Sequence, residues 1–276
     1  MKNPIVAIGL TTYDDISSAE IARSVFRILQ KTDARLCPEF VNWHEPINVP
    51  VNDEAVWLEY WSRDAVLRLH GSAMDTKLGG LWRRRRSVQS WGCVSHASTN
   101  GWNDDSTLSL SFRWNASIDW WHLFSSLCNI LNPAYGMLHL FTDTERKLVE
   151  LCNFDGPVVG EGVFTNKLSK DGNVIGVDRR KRTNPMQYCY IPELSWGNCF
   201  GVEFKGVFNP ECLTKEAAFG KVDSGKTLIR ITESLDDILN DHENFCAKRA
   251  YLRSLFRTGA FRDKVSPDDA RFSYRG

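Results

Sequence analysis

The chain has 276 residues and balances 34 Lys plus Arg against 34 Asp plus Glu, with 42% hydrophobic, 12% aromatic and 25% charged residues. That length holds one large domain or two small lobes around a sizeable core, and the apolar content excludes a disordered or low-complexity chain. Formal neutrality excludes a protein coated with basic charge for a polyanion or an anionic membrane, while leaving room for a local patch.

Taken in chain order, the apolar run Ile5 to Leu10 is cut off at once by Asp14 and Asp15, which predicts a strand over 4–10 rather than a secretory signal. Asp15 or Ser17 is the expected cap of a helix carrying Ile21, Val25, Phe26 and Leu29 at helical spacing. A strand is expected from Leu36 to Trp43, ahead of Pro46 and Pro50. Residues 53–70 satisfy both a helix capped by Asp53 and a strand through Val66, Leu67 and Leu69. Strands follow at about 88–97 and 107–114, the second with Leu108, Leu110, Phe112 and Trp114 alternating with Ser109, Ser111 and Arg113.

Ser117 is the expected cap of a helix from Ile118 to Leu131. Its apolar residues wrap nearly the whole circumference, so it is central to the core or packs on two sides. A strand Tyr135–Thr142 and a helix from Asp143 to about Cys152 come next, then a Gly- and charge-rich stretch over 153–182, then strands at 188–191 and 227–232 and a helix from about Asp241 to Arg257. The mixed order predicts an α+β fold of largely antiparallel sheets with packed helices, as one large domain or two α/β lobes. The expected divisions are 1–152, an irregular loop or hairpin insertion over 153–187, and a C-terminal portion over 188–276.

No stretch reaches the length of a membrane span. The eight cysteines (Cys37, Cys93, Cys128, Cys152, Cys189, Cys199, Cys212, Cys246) are scattered singly, which reads as buried thiols in a reducing, cytoplasmic compartment. Neither C-x-x-C nor H-x-x-x-H occurs, so zinc is not expected. Gly220 to Thr227 satisfies G-x-x-x-x-G-K-[ST], yet no strand precedes it, Leu228 to Thr232 is β-like, and only 49 residues follow. A tight Asp223-Ser224-Gly225 hairpin turn is the expectation there, and an NTP-dependent enzyme is the lesser alternative.

Two basic runs, Arg83–Arg86 beside Trp82 and Arg179–Arg182, have the residue types that grip single-stranded nucleic acid, but balanced charge and turn-like flanks favour solvated loops. Asp236, Asp237, Asp241 and Glu243 surround the start of the last helix, and Arg249, Arg253 and Arg257 occupy its later turns, as the helix dipole prefers. No nucleophile elbow or familiar Cys–His signature is present, so no catalytic residue and no cofactor is expected. Ten tryptophans suit a Trp-rich core, and Trp57/Trp61 and Trp120/Trp121 cluster as interface anchors do.

Three segments together resemble bacterial immunity proteins, the antidotes to polymorphic and type VI secreted toxins. They are Trp114–Thr142 with its Pro133-Ala134-Tyr135-Gly136 junction, the run Ile191-Pro192-Glu193-Leu194-Ser195-Trp196-Gly197-Asn198-Cys199-Phe200-Gly201, and Ile231–Asp237 followed by Phe245 and Arg249–Phe261. The nearest named group is the immunity protein 52 family. The resemblance implies a non-enzymatic cytoplasmic protein that binds a cognate toxin, a nuclease or another cytoplasm-acting enzyme, and covers its active site or holds it inactive. On that reading the toxin-interface candidates are Asp104, Asp105, Trp120, Trp121, Trp196, Asp236, Asp237, Asp241 and Glu243. A homodimer stays open as the assembly, membrane contact is not expected, and a nucleic-acid-binding or processing protein using the two basic runs is the runner-up.

Overall fold

The computed structural model describes residues 4–69, 72–97, 105–145, 165–168, 174–178, 191, 193–258, 260 and 261. The fold is α+β. Strands β1 (Ile5–Thr12), β2 (Phe40–Asn42), β3 (Val49–Pro50), β6 (Leu81–Arg84), β7 (Ser90–Ser95), β8 (Ser106–Arg113), β9 (Tyr135–Phe141), β12 (Gly197–Phe200), β13 (Phe219–Asp223) and β14 (Lys226–Arg230) form one ten-stranded sheet. Its order is β13-β14-β12-β9-β1-β8-β7-β6-β2-β3, and its pairings are antiparallel. The strands β4 (Ser62–Leu69) and β5 (Ser72–Gly79) make a separate hairpin, and β10 (Thr165–Leu168) pairs with β11 (Val174–Asp178) within the expected insertion. The C-terminal strands β12 to β14 continue the N-terminal sheet through β9 rather than forming their own.

Period-two alternation sends Val6, Ile8, Leu10, Leu108, Leu110, Phe112, Leu138 and Leu140 to one face, where all are buried. Helices α1 (Ala19–Thr32) and α3 (Trp120–Leu131) pack there side by side. Gly136 is required at that contact, since a Cβ would lie 2.8 Å from Leu10 and 3.4 Å from the Phe124 ring of α3. Toward the β6 end, Trp57 of α2 (Glu54–Glu59) meets Trp61 and Trp82 with centroids 5.3 and 4.9 Å apart. The indole N–H groups of Trp57 and Trp61 donate to the Ala22 and Ile16 carbonyls, so these buried rings leave no orphan donor.

Among the described residues, helices cover the second face on one half only. Over β9, β12 and β14 lie the one-turn 3₁₀ helix Val202–Phe204, α4 (Pro210–Glu216), the short α5 (Asp237–Asn240) and α6 (His242–Ser254), joined by a Phe200, Phe204, Phe208, Phe256, Phe261 cluster. Over β2, β6, β7 and β8 the same face stays accessible to solvent. Here Arg83, Cys93, Ser95 and Ser111 are half-buried, Arg113 is exposed, and Trp91 is 37% exposed.

Several local expectations shift. The cap of α1 is Ser18, whose Oγ accepts from the Ile21 N–H, because Asp15 is engaged by the Ser17 N–H and by Lys77. Asp119 caps α3 in place of Ser117, whose hydroxyl turns back to Asn115. The strand expected from Leu36 is shortened to Phe40–Asn42, because Asp33 accepts from the Arg35 N–H and starts a 3₁₀ turn. The ambiguous segment 53–70 is both things in succession, α2 capped by Asp53 and then β4. Gly220–Thr227 is a hairpin: Ser224 and Gly225 carry φ of 51° and 80° between β13 and β14. Lys226 is buried and donates to the Cys128 carbonyl near the end of α3. Most of the expected strand 188–191 and most of the expected helix after Asp143 lie outside the described residues, as do Arg179–Arg182.

Candidate functional site

The most concentrated buried chemistry is built around Glu145. Its carboxylate accepts from His139 Nε2 of β9 at 3.1 Å, from His242 Nε2 at 2.6 Å, and from both terminal nitrogens of Arg249 at 2.9 and 3.3 Å. His139 Nδ1 in turn accepts the Trp196 N–H at 3.2 Å, which fixes the ring as the neutral tautomer with its proton on Nε2. Burial pushes His139 below its ordinary pKa, with Glu145 opposing. Burial also disfavours ionised Glu145, but His139 and Arg249 outweigh it and hold the carboxyl well below the usual range. Arg249 and Arg253 therefore do more than complement a helix dipole: Arg253 binds Glu193 at 2.5 Å, and both arginines tie α6 to the sheet.

Glu145, His242 and Cys246 also bring potential metal ligands within 4.8 Å of one another. The spacing His242-x-x-x-Cys246, one helical turn, is the sequence signal for this triad. Its geometry is that of hydrogen bonds. The Glu145 and His242 ligand atoms are 2.6 Å apart, whereas two ligands of one tetrahedral zinc, each at ~2.0–2.1 Å, stand more than ~3 Å apart. The Arg249 guanidinium already occupies the carboxylate. The cluster is therefore described best as a clamp between β9, the segment after it, β12 and α6.

The three segments that carry the family resemblance meet at this clamp. Gly201 N–H donates to the Ala134 carbonyl at 2.8 Å, joining the first to the second. Trp196 Nε1 donates to Thr232 Oγ1 at 2.9 Å and Ile231 N–H to the Trp196 carbonyl, joining the second to the third. Arg249 closes the set on Glu145.

Of the interface candidates, Trp120 and Trp196 are core residues, 3% and 2% exposed, and their rings pack inside the protein. Asp105 is also buried, and Asp104 lies outside the described residues. Trp120 and Trp196 are therefore corrected to packing roles, because rings with almost no accessible surface cannot meet a partner. Trp121 is half-buried beside Phe219, with the Arg230 guanidinium over both rings. Asp236 and Asp237 are half-buried, and Asp241 and Glu243 are exposed, on the corner between α5 and α6 around Leu239, itself 41% exposed. None of these four carboxylates pairs with a cation among the described residues, whereas neighbouring Glu233 pairs with Arg230 at 2.8 Å.

The first basic run is divided by strand alternation. Arg84 and Arg86 approach Glu39 at 3.6 and 3.2 Å, and the Arg85 and Arg86 N–H groups donate to the same carboxylate. Burial opposes ionisation of Glu39, but these donors and cations keep its carboxyl below the ordinary range. Arg83 and the Arg85 side chain go instead to the open second face, beside Phe40 and Trp91. Sequence reading missed this division, although the odd–even alternation of a strand would have revealed it.

These features define an α+β protein with a half-covered antiparallel sheet, a buried ion-paired clamp, an acidic corner at one end and a basic face at the other. No family model and no curated protein matches the chain. Among solved structures it is similar to the Pseudomonas aeruginosa T6SS protein PA0821, at 12% identity and a TM-score of 0.48, over 83% of this chain and 65% of that one. The chain thus spans less than two thirds of that protein's length. A likeness at that level assigns neither activity nor partner. No helix among the described residues is long and apolar enough to cross a membrane.

Proposed function

We propose that the chain is an immunity protein: a cytoplasmic, non-catalytic antidote that binds a secreted bacterial toxin and neutralises it without a cofactor. The observation that carries this reading is the α5–α6 corner, where Asp236, Asp237, Asp241 and Glu243 surround the exposed Leu239. Carboxylates around an apolar anchor complement a basic cleft such as that of a nuclease, and such a charge field speeds and orients docking. The half-buried Trp121, edge-on to Phe219 with the Arg230 guanidinium over both rings, lies at the same end of the sheet. The family resemblance supports it as well, since its three segments pack together next to this corner.

The test is co-expression with the product of the neighbouring reading frame. Co-purification and protection of the host are expected. The triple reversal Asp236→Lys, Asp241→Lys, Glu243→Lys is expected to weaken binding at least tenfold, chiefly through the association rate, and to flatten its salt dependence. A wild-type chain that neither binds nor protects removes the reading.

A further inference from the structure

We propose that the open second face of the sheet, over β2, β6, β7 and β8, binds single-stranded nucleic acid. The inference does not depend on the toxin reading, because it concerns the opposite end of the sheet from the α5–α6 corner.

Strand register places Phe40 directly beside Arg83 and Arg83 directly beside Trp91. The Arg85 guanidinium carbon sits 5.3 Å from the Phe40 ring centroid. At the other end Trp91 pairs with Ser111, and Arg113 follows two residues later on the same face. The row therefore reads Arg85, Phe40, Arg83, Trp91, Arg113: cation, ring, cation, ring, cation. With strands ~4.8 Å apart, the backbone positions of the two rings stand about 9.6 Å apart with a guanidinium between them.

Arg83, Arg85 and Arg113 make no ion pair among the described residues, in contrast to Arg84 and Arg86 on Glu39. Arg83 itself is half-buried, and its Nε–H is buried without a hydrogen-bond partner among the described residues. Trp91, the second residue of β7, keeps 37% of its surface in water, although a tryptophan is ordinarily well buried.

A ligand that matches this row must itself alternate negative groups with flat rings, and a nucleotide chain does so, phosphate by base. An acidic protein surface would satisfy the guanidiniums but brings no regular succession of planar groups. A duplex hides the faces of its bases, whereas a flat, accessible sheet offers stacking to splayed ones. The formal neutrality of the whole chain hides the site, because it averages this face with the acidic corner.

The experiment uses the full chain with short fluorescein-labelled oligouridylate and oligothymidylate, read by anisotropy from ~0.05 M to ~0.2 M salt. Trp91→Ala is expected to weaken binding about tenfold, and Trp91→Phe to restore most of it. Arg83→Ala with Arg85→Ala is expected to lower affinity and reduce the log–log salt slope by about 1.4. Arg257→Ala, an exposed cation elsewhere, should leave binding unchanged. No binding at ~0.05 M salt overturns the proposal, as does binding that survives all of these variants. Equally tight binding of a polyglutamate peptide, lost in the same variants, overturns it in favour of an acidic-protein docking face.

Discussion

Glu145 shows how much one side chain can hold. Its carboxylate is buried and shared by His139, His242 and Arg249, groups up to 104 residues away in sequence. Removing it leaves the Arg249 charge buried without compensation, so Glu145→Ala is expected to cost about 3–5 kcal/mol in chemical denaturation. Glu145→Gln combined with Arg249→Met is expected to recover part of that loss, because a neutral pair needs no counter-charge. Acid should act on the same group of residues. His139 is held below its ordinary value of 6.5, so the unfolded chain takes up protons first and stability falls as pH drops below ~6.5. Glu145 is held below its ordinary 4.5, so its contribution is complete above ~4.5 and is lost as pH falls on toward its folded value. Urea midpoints measured between neutral and acidic pH would show both, and the Glu145→Gln, Arg249→Met protein should lose the lower part of the dependence.

Among the elements, those with long uniform periodicity were legible from sequence: β1, α1, β8, α3, β9, β14 and α6 each fall within a few residues of expectation. The short or charged ones were not. β6 reads as Leu81-Trp82-Arg83-Arg84, a basic run whose strand character comes from its neighbours β2 and β7. Trp120 and Trp121 show the same gap at the site. Adjacent in sequence, they lie about 100° apart on the helix, so one enters the core and the other reaches the β13 edge. Composition marks both as candidates, and only helical phase separates them.

The β13–β14 hairpin carries its own expectation. Gly225 adopts φ of 80°, where a Cβ would also lie 2.9 Å from Val202, so Gly225→Ala should lower stability by about 1–2 kcal/mol. Lys226→Ala should lower the melting temperature, and MgATP should leave that of the intact chain unchanged, because this lysine serves the Cys128 carbonyl.

On the scale of the whole molecule, balanced composition is distributed unevenly along one sheet. Arg83, Arg85 and Arg113, which have no carboxylate partner among the described residues, share one face over β6 to β8, and the acidic corner lies toward the β14 end. Binding at either end should weaken with salt, but through charges of opposite sign. A single reversal at one end should leave the other end's partner unaffected, since the two lie many strands apart.

The sheet also has two ends of a different kind. β3 is only two residues long and finishes on Pro50, which has no N–H to offer a further strand. β13 has no proline, and no strand among the described residues pairs with its outer rim. At its centre stands Lys221, held by Asp223 at 2.7 Å. Two copies aligned about that residue would bring like charges face to face. A lysine at that place on an edge strand disfavours edge-to-edge pairing of two copies. Lys221→Val should leave the melting temperature nearly unchanged while raising light scattering in concentrated solution.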